Sequence, residues 1–170
     1  MREITRQPTR LSSAAALVTG VLGFVSVGPY SGLALGLAGF GLIALVAGLV
    51  RDSRSLATIG PVGLFAGAVA AGVADPPVAV VLFGVLAAVL AYDFAATAVD
   101  LGAQLGREAD TRRLELIHLA TSSLAGVAVA VVSYLVYALG AGGQPISAVV
   151  GLLLAVVVLF VALRRQQPTD

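Results

Sequence analysis

Long apolar runs separated by short polar or Gly/Pro breaks set the pattern of this chain. The runs cover 11–27, 31–50, 56–74, 78–98, 116–139 and 146–163. The clearest, 31–50, holds twenty residues without a charge. A helix rising about 1.5 Å per residue needs that length to cross roughly 30 Å of hydrocarbon. The third run is broken by Gly60, Pro61, Gly63, Gly67 and Gly72. Pro61 predicts a kink, which a bilayer tolerates when neighbours satisfy the freed carbonyl. Strands do not fit, because they usually run about 4–8 residues. A membrane β-barrel would alternate polar and apolar positions, and these runs do not. The pattern therefore predicts an all-α protein: one domain over 1–170, an integral membrane bundle of six transmembrane helices. A charged cytoplasmic helical segment, 99–115, separates helices four and five.

The breaks are Gly28-Pro29-Tyr30-Ser31, Arg51–Ser55, Asp75-Pro76-Pro77, the charged segment, and GAGGQP at 140–145. A secretory signal is the rival reading of the first run, since Arg2, Arg6 and Arg10 precede it. The run 11–27 is longer than a typical apolar core of about 7–15 residues, and no convincing cleavage site follows.

Composition strengthens the membrane reading. The chain is 59% apolar and only 11% charged. A soluble domain carries about 45–50% apolar and about 25% charged residues. So few charges could not cover a water-facing surface. There is no Cys, hence no disulfide framework and no thiolate metal site. There is no Trp, so an interfacial aromatic belt must use Tyr30, Tyr92, Tyr134, Tyr137 and the Phe residues. Every basic residue is Arg, which with the abundant Ala, Gly and Val suggests a GC-rich genome, such as a halophile's. A net charge of +1 argues against a nucleic-acid partner.

The arginines give the orientation. With six spans, the N-terminus, the 51–55 loop, the charged segment and the C-terminal tail share one side. That side holds all ten arginines, whereas the other carries a single charge, Asp75. Short loops rich in Arg stay in the cytoplasm. The expectation is a cell-membrane protein with both termini cytoplasmic. One span more or fewer would scatter the arginines over both sides.

Small residues four apart let helices approach in lipid, where hydrophobic drive between them is weak. Gly32/Gly36, Ala44/Gly48 and Gly63/Gly67 have this spacing. They are expected to pack within one chain rather than form a homodimer seam.

The charged segment and its flanks hold five of the nine acidic residues and the single His. Residues 101–117 are expected to be helical. Glu108/Arg112, Asp110/Arg113 and Arg112/Glu115 are spaced as intrahelical pairs, each contributing about 0.2–0.5 kcal/mol. A solvated charged helix explains them. Alternatively, Arg107, Glu108, Asp110, Arg112, Arg113 and Glu115 form a docking surface for a cytoplasmic partner. Asp93 and Asp100 are seven apart, hence on one helix face. An ionisable residue inside a span is a functional candidate. Asp93, Asp100 and His118 could line a polar path, or Asp93 could rest at the headgroups beside Tyr92. Glu115, His118 and Ser122 form a stripe that could relay a proton or hold a metal. One His without Cys is a poor metal site. The preferred reading is that His118, Thr121, Ser122 and Ser123 hydrogen-bond to neighbouring helices.

Enzyme signatures fail. Tyr92-Asp93 lacks the Gly-x-Gly-Asp partner of intramembrane aspartyl proteases. Asp100-x-Gly102 and Asp110 lack the spacing of the CDP-alcohol phosphotransferases. Gly140–Gly143 lacks the Lys-Ser/Thr of a P-loop, and no Gly-x-Ser-x-Gly elbow is present. No catalytic residue, cofactor or metal site is expected.

The stretch 102–118, GAQLGREADTRRLELIH, followed by a Ser-containing span, resembles a family of uncharacterised multi-pass membrane proteins of halophilic archaea. These are often encoded beside MoxR-type ATPases and partners with von Willebrand-like domains. The family has no established activity, so the resemblance implies only a possible membrane-assembly partner. The expected function is a non-catalytic subunit or scaffold with a cytoplasmic docking segment. The alternative is a small transporter or channel using Asp93, Asp100 and His118.

Overall fold

The computed structural model describes residues 7–105 and 111–140, all of them helix or short connection. The helices are α1 (Arg10–Val27), α2 (Gly32–Val50), α3 (Arg54–Gly72), α4 (Val78–Leu105) and α5 (Arg112–Gly140), with a 3₁₀ turn at Gly28–Tyr30. All five α-helices are long and apolar enough to cross a membrane. The sixth predicted span, 146–163, lies outside the described residues. The chain divides into two compact units, Met1–Tyr134 and Leu135–Asp170. The packing described below lies within the first.

Local chemistry explains the boundaries. Ser31 is extended and its hydroxyl accepts from the Ala34 N–H at 3.0 Å, capping α2. Ser53 caps α3 through the Leu56 N–H. Between them Asp52 has φ 54°. Asp is one of the few side chains that tolerate this left-handed conformation. It turns the chain so that the Ser53 N–H reaches the Gly48 carbonyl at 2.9 Å. That bond is the long-range half of a Schellman motif and satisfies an end-of-helix acceptor. Asp75, φ 55°, is a second left-handed Asp, in the turn between α3 and α4, where its N–H reaches the Gly72 carbonyl at 3.4 Å. α3 stays continuous through Pro61.

The core is mostly small residues, joined by Val27, Leu45, Leu64 and Phe94. Ala16, Ala34, Ala38, Ala68, Ala71, Ala91, Ala95 and Ala98 are fully buried, whereas Ile43, Phe40, Val50, Val62 and Leu33 lie outside. This reverses the arrangement of a water-soluble core, and large exposed apolar areas are rare in soluble monomers. It suits a lipid surround, in which bulky side chains meet hydrocarbon and small ones bring backbones together.

The tightest seam joins α2 and α3. A Cβ on Gly41 would lie 2.5 Å from the Gly60 carbonyl oxygen and the Leu64 nitrogen. One on Gly60 would lie 2.5 Å from the Leu45 nitrogen, and one on Gly67 2.7 Å from the Ala38 Cβ. Gly48 meets the Ala57 backbone just as closely. Of the three predicted small-residue pairs, Ala44/Gly48 and Gly63/Gly67 are buried in this seam. Gly32 and Gly36 are not, since a Cβ on either meets nothing within 4 Å. Elsewhere α1 packs on α4 and α3 on α4. Gly84 of α4 admits Val27 and Ala68, and Gly23 of α1 faces Ala87.

Three contacts bring four chain segments to one end of the helices. The Thr9 N–H donates to the Ala98 carbonyl at 3.0 Å. Arg54 pairs with Asp100 at 3.0 Å. Thr9 also donates to Glu115 at 2.9 Å. The start of α1, the start of α3, the end of α4 and the start of α5 therefore sit together, as alternating spans require.

The predicted polar segment is not one helix. Its first part, through Leu105, extends α4. α5 begins at Arg112, after Thr111, which is not helical. The helical reading of 101–117 is interrupted at Thr111, after which a new helix starts, the Thr111 carbonyl accepting from the Glu115 N–H at 2.9 Å, while residues 106–110 lie outside the described residues.

Candidate functional site

Two polar constellations organise the α4–α5 region. The first surrounds Glu115, the one described α5 residue that is buried, at 3% exposure. Its Oε2 accepts from the Thr9 hydroxyl at 2.9 Å, the Ser12 N–H at 2.8 Å and the Ser12 hydroxyl at 2.7 Å. Its Oε1 accepts from the Thr111 hydroxyl at 2.6 Å. Thr9 is the N-cap of α1, yet its side chain does not cap its own helix. Glu115 takes over that task from 103 residues away in sequence, bonding the free N–H of Ser12 in the first turn. The positive end of the α1 dipole favours the carboxylate there. Four donors replace the water that burial removes.

The same end is closed by backbone contact. A Cβ on Gly102 would collide with the Gln7 carbonyl and lie 3.0 Å from Pro8 Cα. Only glycine lets the segment 7–9 cross α4 at this point.

This placement changes the reading of the docking residues. Glu115 turns inward to α1 and offers no carboxylate to an outside partner. It forms neither the intrahelical pair with Arg112 nor the stripe with His118 and Ser122. Arg112 and Arg113 are exposed. Arg107, Glu108 and Asp110 lie outside the described residues, and so do the pairs Glu108/Arg112 and Asp110/Arg113.

The second constellation lies farther along α4 and α5. Asp93 and Thr97 are one turn apart on α4, and both face His118 of α5. His118 Nε2 is 2.9 Å from Asp93 Oδ2 and 3.0 Å from Thr97 Oγ1. The hydrogen-bond geometry is aligned with Thr97. Asp93 Oδ2 is shut off from solvent and has no aligned donor. Beside it runs a cleft of about 480 Å³ between α4 and α5, walled by Leu82, Leu86, Val89, Gly126, Val129 and others. Asp93, Tyr92 and Ser122 lie at one end and Ser133 at the other.

Asp100 is not part of this group. Its carboxylate takes both Arg54 guanidinium nitrogens, at 3.0 and 3.3 Å. The Arg54 side chain is 72% exposed, and such pairs contribute about 0–1 kcal/mol. Asp100→Asn is therefore expected to change unfolding stability by under about 1 kcal/mol. Chemical unfolding in mixed micelles measures it, and a larger loss would assign Asp100 a deeper role.

The predicted interhelical bonding is realised by His118. Thr121 instead bonds the Ile117 and His118 carbonyls of its own helix. Thr9, Ser12, Thr97 and Thr111 were not singled out in the sequence. Thr111 carries a local signal, a hydroxyl preceding a helix start with an acid four residues on. Nothing in the sequence links Thr9 or Ser12 to residue 115.

No curated protein and no solved structure matches the chain. A family of unknown function, DUF7519, matches residues 6–160. The match spans most of the sequence, including the buried Glu115 cluster and the Asp93–His118 pair, and the chain belongs to that family.

Proposed function

We propose that this protein is a non-catalytic membrane subunit whose charged cytoplasmic segment, anchored where α5 begins, is a docking surface for a partner. The observation that carries this reading is the Glu115 cluster. It ties the start of α5 to the start of α1 and leaves Arg112 and Arg113 pointing outward. An anchored segment loses less conformational freedom on binding than a loose one. The arginine distribution supports a cytoplasmic placement of this end. A MoxR-type ATPase is the partner suggested by resemblance of the 102–118 stretch.

The test uses the full-length chain, extracted in mild detergent and used to capture cytoplasmic partners. Reversing Arg112 and Arg113 to Glu is expected to reduce recovery of a specific partner at least tenfold. Unchanged recovery would remove the segment from the account. Orientation is checked separately. Because the chain has no Cys, Gln104→Cys can be labelled alone and should react only from the cytoplasmic side.

A second reading, a small transporter or channel, is favoured by the pairing of Asp93 with His118. It loses Asp100, which is engaged with Arg54. It predicts pH-dependent flux in liposomes that Asp93→Asn abolishes.

A further inference from the structure

We infer that the cleft between α4 and α5 is a binding site for an amphiphile with a protonated amine head and one apolar chain. The head sits at Asp93 and the chain lies along the cleft. This holds whether or not the charged segment docks a partner.

The argument starts from unmet bonding capacity. A carboxylate presents two oxygens with about four acceptor sites. His118 Nε2 carries at most one hydrogen and stands 3.0 Å from Thr97 Oγ1 and 2.9 Å from Asp93 Oδ2, so it cannot satisfy both, and the tautomer decides whether it donates to Thr97 or accepts from it. Asp93 Oδ2 stays without an aligned donor, although it is removed from solvent. Such a group destabilises the fold until a donor reaches it. Asp93 also lines the cleft, so a ligand in the cleft can supply that donor. An ammonium brings three donors and a complementary charge. A carboxylate or phosphate head would meet repulsion.

The rest of the cleft selects the tail. Away from Asp93 its walls are Leu82, Val85, Leu86, Leu90, Val129 and Ala130. From Leu82 to Asp93 the α4 wall is about 16 Å long at about 1.5 Å per residue. The volume of about 480 Å³ falls in the range of about 300–1,000 Å³ typical of small-molecule clefts. The one charged group lies at one end, and the Ser133 hydroxyl at the other is spent on the Val129 carbonyl of its own helix, so the cleft matches a head and a chain. The cleft lies within helices long enough to span a bilayer, so hydrocarbon chains are already its surroundings.

The test is native mass spectrometry of the full-length chain in neutral detergent, titrated with dodecylammonium and, in parallel, dodecanoate. Dodecylammonium is expected to saturate one site with an affinity at least tenfold above that of dodecanoate. Asp93→Asn should remove this preference, and Asp93→Glu should keep it. Ala130→Phe, which fills the cleft, should weaken binding of both probes. Competition by an ethanolamine-headed lipid would identify a bilayer lipid as the source of the amine. Absence of competition, with dodecylammonium still bound, would point to a free alkylamine. Equal affinity for the two probes, a preference that survives Asp93→Asn, or no saturable binding would each overturn the proposal.

Discussion

Glu115→Ala is expected to destabilise the folded chain by about 3 kcal/mol, the largest effect of any single polar substitution proposed for this chain. A hydrogen bond to a charged group contributes about 1.5–3 kcal/mol, and each buried donor left alone costs about 1–3 kcal/mol. The substitution strands the Ser12 N–H, two α1-side hydroxyls and the Thr111 hydroxyl together. Ser12 is fully buried and Thr9 nearly so, and water reaches them only if the structure opens. The full sum is not expected, because the hydroxyls can turn to neighbouring carbonyls. Glu115→Gln should cost less, about 1–2 kcal/mol, since the amide keeps one acceptor oxygen. Unfolding in mixed micelles measures both. A double-mutant cycle with Ser12→Ala should return a coupling of about 1–2 kcal/mol. Additive losses would mean that the carboxylate does not bond the Ser12 hydroxyl. Because the cluster joins α1 to α5, hydrogen exchange at Ser12 and Ser13 should speed up in Glu115→Ala, with α3 little changed. Uniform acceleration would indicate global rather than local loosening.

Gly41→Ala should be nearly as damaging, again by about 3 kcal/mol. The added methyl would sit 2.5 Å from backbone atoms of α3, not from a side chain that can rotate away. The clash is relieved only if α2 and α3 separate, and overpacking of this kind costs about 1–3 kcal/mol or more. Separation also opens the seam at Gly48 and Gly63, which depends on the same approach. Gly36→Ala is the control on the same helix. A Cβ there meets nothing within 4 Å, so the gain in helix propensity, about 0.5–1 kcal/mol, should leave stability unchanged or slightly raised. Equal losses at positions 36 and 41 would mean that α2 and α3 do not meet as described.

The hydrophobic pattern alone determined much of this protein. Five of the predicted spans appear as helices at nearly the predicted positions, because run length and helical rise leave few alternatives in hydrocarbon. The end at which the arginine-bearing 51–55 turn meets the close of α4 was likewise legible from alternating spans. Which glycines form a seam was not. Gly32/Gly36 and Gly63/Gly67 have the same spacing, and only the rotation of α2 about its axis separates the open pair from the buried one. The fate of the acids was equally hidden. Asp93 and Asp100 share a predicted face, yet one meets His118 and the other Arg54. Glu115 reads as a solvated surface charge by its neighbours Arg112 and Arg113. Tertiary packing alone brings the uncapped start of α1 within reach of it. A helix end with free N–H groups attracts whichever carboxylate the fold delivers, and no local pattern names that carboxylate in advance.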